Sequence, residues 1–201
     1  MCNRKSERGA AAIEFTLSTM FLVPLLLGTL VFGFRLIRAI EMDQITRDLG
    51  HMYARGFVDF RNPGPIQNAQ TLASGFDLTN TGTSVVELSQ IKIIQQSDCD
   101  AVNGFANSPC PNKDRPVFTE QLTIGNTSAG TSRFGTPPTT NGSVTPANQI
   151  NAAGAVANGF SSVMTLPVGV TAYVAEMNNQ TPDLNIPGFS GMPLVYARAI
   201  F

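Results

Sequence analysis

Charged side chains are scarce in this sequence. Asp, Glu, Lys and Arg make up 13% of its 201 residues, about half the share of an ordinary soluble domain. Asn, Thr, Ser and Gly supply the polar surface instead. The 13 Lys/Arg are balanced by 14 Asp/Glu, which argues against nucleic acid as a partner, since a phosphate backbone needs a basic face. Histidine occurs once, at His51. With no second ligand at helical spacing, it reads as a surface or packing residue rather than a catalytic or metal-binding one. The sequence also lacks a G-x-S-x-G elbow, a phosphate-cradling glycine motif and zinc-type His/Cys spacing. Asp98 and Asp100 flank a cysteine in a polar stretch and read as surface charges. These absences predict a chain that is not an enzyme, with no catalytic residue, no metal site and no cofactor.

What the sequence does have is a long uncharged run. From Phe15 to Phe34 there are 20 residues without a charge. As a helix they would span about 30 Å, the thickness of a bilayer's hydrocarbon core. A helix apolar on all sides has little use in a soluble domain, so a membrane span and a lipid bilayer partner are the expectation. Glu14 stands at the lip of this run, where an ionised carboxylate needs a nearby interface or a positive partner. Before it come Gly9, the small residues Ala10, Ala11 and Ala12, and a basic tail of Arg4, Lys5 and Arg8. Cleavage between Gly9 and Ala10 would place a new amine about one helical turn from Glu14. That amine could neutralise the glutamate of its own chain or of a neighbour.

Gly9, the glutamate five residues later, Phe15 and the apolar helix resemble the class III signal of type IV prepilins and pseudopilins. The arrangement through residues 4–57 is similar to that of TadE-like pseudopilins of the Tad (tight-adherence) pilus system: basic leader, glycine cut site, Glu-Phe pair, proline-bearing apolar helix and amphipathic extension. The phrase Thr171–Glu176 followed by Pro182 resembles a strand of those proteins more softly. The resemblance implies processing by a prepilin peptidase at Gly9 and Ala10, with Glu14 and Phe15 serving subunit assembly. It also implies an inner-membrane assembly platform and other pilin subunits as partners. An uncleaved signal anchor that carries a glutamate by chance is the other reading of the same residues.

Cys2 would leave with residues 1–9, a loss that also leaves ten Lys/Arg against thirteen Asp/Glu. Cys99 and Cys110 form an even pair in a segment rich in Asn, Ser, Gly and Pro, beyond an anchor. They read as a disulfide, with free thiols as the alternative. The positive-inside bias is slight, because Arg35 and Arg38 follow the span as closely as Arg4, Lys5 and Arg8 precede it. A disulfide and an Asn/Thr-rich remainder orient the chain with its N-terminus in the cytoplasm and its C-terminal part outside.

Pro24 lies mid-span, removes one backbone hydrogen bond and is expected to kink the helix. Past Phe34, the residues Leu36/Ile37, Ile40, Ile45, Leu49, Tyr53 and Phe57 recur at three- to five-residue steps with charges between them, the pattern of an amphipathic extension. Gly50 and Gly56 weaken this helix, and Asn62-Pro63-Gly64-Pro65 stops it. Residues 66–84 read as a polar connector. Strands are expected at 84–96 and 117–124, joined by the cysteine loop as an antiparallel pair, and at 164–177 and 193–201. Residues 125–149 read as a long surface loop and 150–162 as a short Ala-rich helix. Glu176 reads as a solvated strand end. The Asn-X-Ser/Thr triplets at Asn126, Asn141 and Asn179 carry no role beyond chance.

The predicted fold class is α+β: a long N-terminal transmembrane-plus-amphipathic helix packed on a small antiparallel β-sheet, as in pilins. Its parts are a leader at 1–9, a membrane helix at 10–34, an amphipathic extension at 35–61 and an extracytoplasmic β-rich domain at 62–201. The expected function is that of a minor pilin or pseudopilin in a type IV-like pilus. A membrane-anchored extracellular adhesion module, neither processed nor polymerised, is the competing class.

Overall fold

A computed structural model describes the backbone of residues 4–56, 58–180 and 195–201. It divides into two compact units, Met1–Ile40 and Glu41–Phe201. Helix α1, Arg4–Ala54, contributes its first part to one unit and its last part to the other.

In the first unit most of the large apolar side chains of α1 are exposed. Phe15 is 74% exposed, Phe21 73%, Leu25 68% and Phe32 68%, and among the large apolar residues from Ile13 to Phe34 only Val31 is buried. The hydroxyls of Thr16 and Thr19 donate to the carbonyls of Ala12 and Phe15 at 2.8 and 2.7 Å, and Thr29 donates to Leu26 at 2.8 Å. These three hydroxyls are thereby satisfied within the helix itself, as an apolar surrounding requires. This helix is long and apolar enough to cross a membrane. Pro24 lies inside it.

In the second unit a four-stranded antiparallel sheet runs in the order β2-β1-β3-β4, with β1 at Ser84–Ile93, β2 at Pro116–Gly125, β3 at Thr171–Asn179 and β4 at Val195–Ile200. The expected antiparallel pairing of the first two strands is present, with a bulge between Gln90 and Ile91. The C-terminal strand ties the chain end into the sheet: Phe201 and Tyr173 exchange backbone hydrogen bonds of 2.9 and 3.0 Å. β3 is shorter than the segment predicted at 164–177 and begins only at Thr171, after the turn around Gly169.

Both faces of the sheet are covered. On one, Met42, Leu49 and Tyr53 of α1 pack with Val86, Leu88, Leu122, Ile124, Ala175 and Met177. The buried stripe is set by Met42, Thr46, Leu49 and Tyr53, at steps of four, three and four. Thr46 is tolerated there because its hydroxyl donates to the Met42 carbonyl at 2.7 Å. Of the residues expected to form the stripe, Ile45, Leu49 and Tyr53 join this core. Leu36, Ile37 and Ile40 are half-exposed, and Phe57 lies outside the described residues. On the opposite face Ile91, Phe118 and Val174 pack with Phe134, Ile150, Phe160 and Leu166 from the chain between β2 and β3.

The helical extension ends at Ala54 rather than at residue 61. Gly56 takes φ +66° and its N–H bonds to the Tyr53 carbonyl at 3.0 Å, closing the helix in a turn. The prolines then begin a helix instead of merely ending one. α2, Pro63–Leu72, starts with Pro63 in its first turn behind an extended Asn62, where a missing N–H costs nothing. The connector expected at 66–84 therefore carries α2, which brings Ala69 into the core beside α1. The cysteine loop carries α3, Gln96–Asn103, opened by the Asp98 carboxylate accepting from the Gln95 N–H at 2.8 Å and closed by Gly104 at φ 79°. The Ala-rich helix expected at 150–162 is instead α4, Pro146–Asn151, a 3₁₀ turn at Ala153–Ala155 and α5, Phe160–Val163.

Candidate functional site

The residues expected to carry processing and assembly lie in α1. The backbone of Gly9 and Ala10 is helical. Glu14 is exposed, one residue before the exposed Phe15. The large apolar side chains that follow, from Leu17 to Phe34, are exposed with the exception of Val31. That surface suits hydrocarbon or the equally apolar helix of another chain.

Cys99 and Cys110 are joined in a disulfide, with Cα atoms 5.6 Å apart. Cys99 is fully buried in the core beneath α3. Asp98 and Asp100 have structural duties beside it. Besides opening α3, Asp98 receives the Lys92 ammonium at 3.2 Å. Asp100 accepts from the Gln96 side-chain amide at 2.8 Å and from the Ser108 backbone at 2.9 Å. The Gln96 amide, followed by the Ser108 N–H, holds the Asp100 carboxyl below the ordinary carboxylate range. His51 is exposed, and its ring lies 4.3 Å from that of Phe201.

The sequence reading missed a pair of buried carboxylates. Glu176 is not a solvated strand end: it is fully buried in β3, directly opposite Glu87 of β1, which is itself 4% exposed. Directly opposed residues of an antiparallel pair lie on the same sheet face with Cβ atoms about 5 Å apart. Among the described residues three groups donate to Glu176: the Ser132 hydroxyl, the Arg133 backbone N–H at 3.1 Å and the Tyr196 hydroxyl at 2.5 Å. Glu87 is less well served, since among the described residues its buried Oε2 has no hydrogen-bond partner. Burial, reinforced by the Glu176 charge and partly offset by the Ser132 backbone N–H, pushes the Glu87 carboxyl up to about 7. Burial and the hydrogen bond to Glu176 raise the Tyr196 hydroxyl, keeping it a donor.

Around the pair the face is polar. Ser89 and Gln121 are buried beside it, and Gln121 donates to the Gly135 carbonyl at 3.1 Å. Arg133 stacks its guanidinium 3.8 Å from the Tyr196 ring centre, and Arg198 lies 5.0 Å from that of Phe134. The segment expected as a surface loop at 125–149 is thus a cover, with Ala129, Phe134 and Val144 buried beneath it.

A second polar cluster ties the chain after α1 to β2. Arg61 meets Glu120 at 2.7 Å and donates to the Asn141 carbonyl at 3.0 Å and the Ser143 hydroxyl at 2.9 Å. It borders an open groove of about 490 Å³ lined also by Phe60, Gln121, Thr123 and Gly142. Among the described residues no group of three or more His, Cys, Asp or Glu is placed to hold a metal ion.

No protein-family model, no curated protein and no solved structure matches this chain.

Proposed function

We propose that the chain is a minor pilin or pseudopilin, a structural subunit of a type IV-like (Tad) pilus, cut by a prepilin peptidase after Gly9. The observation that carries the reading is the spacing of Gly9, Ala10 and Glu14 at the head of a helix whose large apolar side chains from Phe15 to Phe34 are, Val31 apart, exposed. Such a surface gains nothing from water and is at home in lipid or against other helices like itself. The same helix ends in the core of a separately compact unit, so helix packing would carry a folded domain with it.

In this mechanism the Ala10 amine freed by cleavage meets Glu14 of a neighbouring subunit, and the ion pair fixes the axial register of otherwise featureless apolar helices. Register is the best-attested use of a buried polar pair. The single-pass topology follows, with the N-terminus in the cytoplasm and the disulfide-bearing domain outside.

Intact-mass and N-terminal analysis of protein recovered from its native membrane tests the reading. A mature chain beginning at Ala10 is the expected result. A chain still carrying residues 1–9 overturns it in favour of an unprocessed, membrane-anchored adhesion module.

A further inference from the structure

The carboxylate pair has no part in the assembly mechanism, and its geometry is lopsided. The donors to Glu176 come from two places, Tyr196 on β4 and the segment Ser132–Arg133 that lies over the sheet. The Ser132 backbone N–H faces Glu87, and the Ser132 hydroxyl also accepts from the Phe134 N–H at 3.1 Å. One short stretch of chain therefore spans both carboxyls. An acceptor-only carboxylate is what three donors solvate, whereas a carboxyl with a buried, unpartnered oxygen is better accommodated as the neutral acid. A neutral Glu87 can donate its proton toward the carboxylate that stands opposite it.

We propose that Glu87 and Glu176 share one proton and that this proton latches the segment Ser132–Phe134 onto the sheet, making residues 126–144 a cover that loosens as the pH rises. The charges facing Glu87 do not replace the proton. Thr123, opposite it on β2, is uncharged. Glu176 on β3 is of like sign. Arg198 on β4 and Arg133 in the cover are the cations at hand, and both stack on aromatic rings of this face. When Glu87 loses its proton to solvent, two like charges stand in directly opposed, water-free positions. Something must admit water. The sheet resists, because β1 and β3 are each hydrogen-bonded on both sides. The cover has one 3₁₀ turn, Thr127–Ala129, and is paired to β2 only at its far end, through the Glu120–Ser143 bridge; between these, residues 130–138 are held by individual bonds, such as Asn158 N–H to the Phe134 carbonyl at 2.8 Å and Asn178 to the Thr131 carbonyl at 3.4 Å. It is the part that opens. Opening would lift Phe134 from its place against Phe160, where the ring centres are 5.3 Å apart.

Amide hydrogen exchange of the full-length protein in detergent, corrected for the intrinsic pH dependence of exchange, tests the latch. The opening constant of residues 130–136 should rise about tenfold per pH unit between roughly pH 5 and 7 and then level off. In Glu87→Gln, which keeps the shape and cannot ionise, it should be flat. A flat profile in the unaltered protein, or the same slope in Glu87→Gln, overturns the proposal. Should that variant fail to fold, the carbon-13 shift of the Glu87 carboxyl in the unaltered protein decides. A midpoint at about 7 supports the latch, and one in the ordinary glutamate range overturns it.

Discussion

Gly50 of α1 and the C-terminal residue Phe201 share one space: a Cβ added to the glycine would collide with the Phe201 ring and stand 3.0 Å from the Ala175 Cβ. A glycine that by propensity weakens the helix therefore lets the last ring of the chain lie between helix and sheet. Gly50→Ala pits a gain of about 1 kcal/mol in helix propensity against an overpacking cost of about 1–3 kcal/mol. The expected outcome is net destabilisation, by about 1 kcal/mol. In a Phe201→Ala background the same change should be less harmful, because the ring is gone. Urea unfolding of the four proteins of this double-mutant cycle measures the coupling, expected at about 0.5 kcal/mol or more. Simple additivity would sink the argument.

The disulfide closes a short loop, with 11 residues of separation between Cys99 and Cys110. Replacing both cysteines by alanine should cost about 3 kcal/mol in the chain-entropy account. The loss should be local first. α3 is eight residues long, too short to stand alone in water, so its amides are expected to lose protection before those of the sheet. Exchange measured with and without reductant checks this, and uniform loss of protection would contradict it.

Glu87 gives the stability a definite pH dependence. Its folded-state value, raised to about 7, lies above the unfolded-state 4.5, so the folded protein binds this proton more tightly. The resulting stabilisation is complete below about pH 4.5 and is lost as the pH rises through about 7, in total about 3 kcal/mol. Glu87→Gln should therefore match or trail the unaltered protein at pH 4.5 and exceed it at pH 8. Taking the difference between the two proteins cancels carboxylates such as Asp77 and Asp100, whose hydrogen bonds lower them and whose contributions run the other way. Unfolding midpoints across pH 4.5–8 provide the measurement.

Much of the scaffold could be read from residue order because its signals are local. The uncharged run from Phe15, the β-branched strands and the cysteine pair each declare themselves within about 20 residues of sequence. α2 was hidden because Pro63 and Pro65 look like a stop, although proline is equally at ease in a helix's first turn. α3 was hidden by its Ser, Asp and Asn content, which favours loops until a capping carboxylate is supplied. The carboxylate pair was illegible for a different reason. In β1, Val86 and Leu88 alternate with Val85 and Ile91, so apolar residues point to both faces, and alternation cannot say which face is open. Glu87 and Glu176 are 89 positions apart in sequence and become neighbours only once register is set. The one available signal was a glutamate inside each of two apolar strands, a weak sign taken singly and a stronger one taken together.

Glu14 is the residue on which the proposed function can be tested most directly. If its carboxylate serves only to receive the amine at Ala10 of a neighbour, replacing it removes one half of an ion pair that lipid has desolvated. Breaking such a pair costs about 3–5 kcal/mol, more than a hundredfold in an association equilibrium. Insertion depends instead on the apolar run, which Glu14→Ala lengthens. Cleavage depends on Gly9 and its surroundings. Glu14→Ala is therefore expected to reach the membrane and appear at mature mass, yet be depleted from sheared filaments, while Gly9→Val should persist at precursor mass. Immunoblots of membrane and filament fractions separate these outcomes. Filament incorporation of Glu14→Ala at the level of the unaltered chain would remove the ion pair from the mechanism and leave apolar packing alone to set the register, a task for which identical greasy surfaces offer no preferred position.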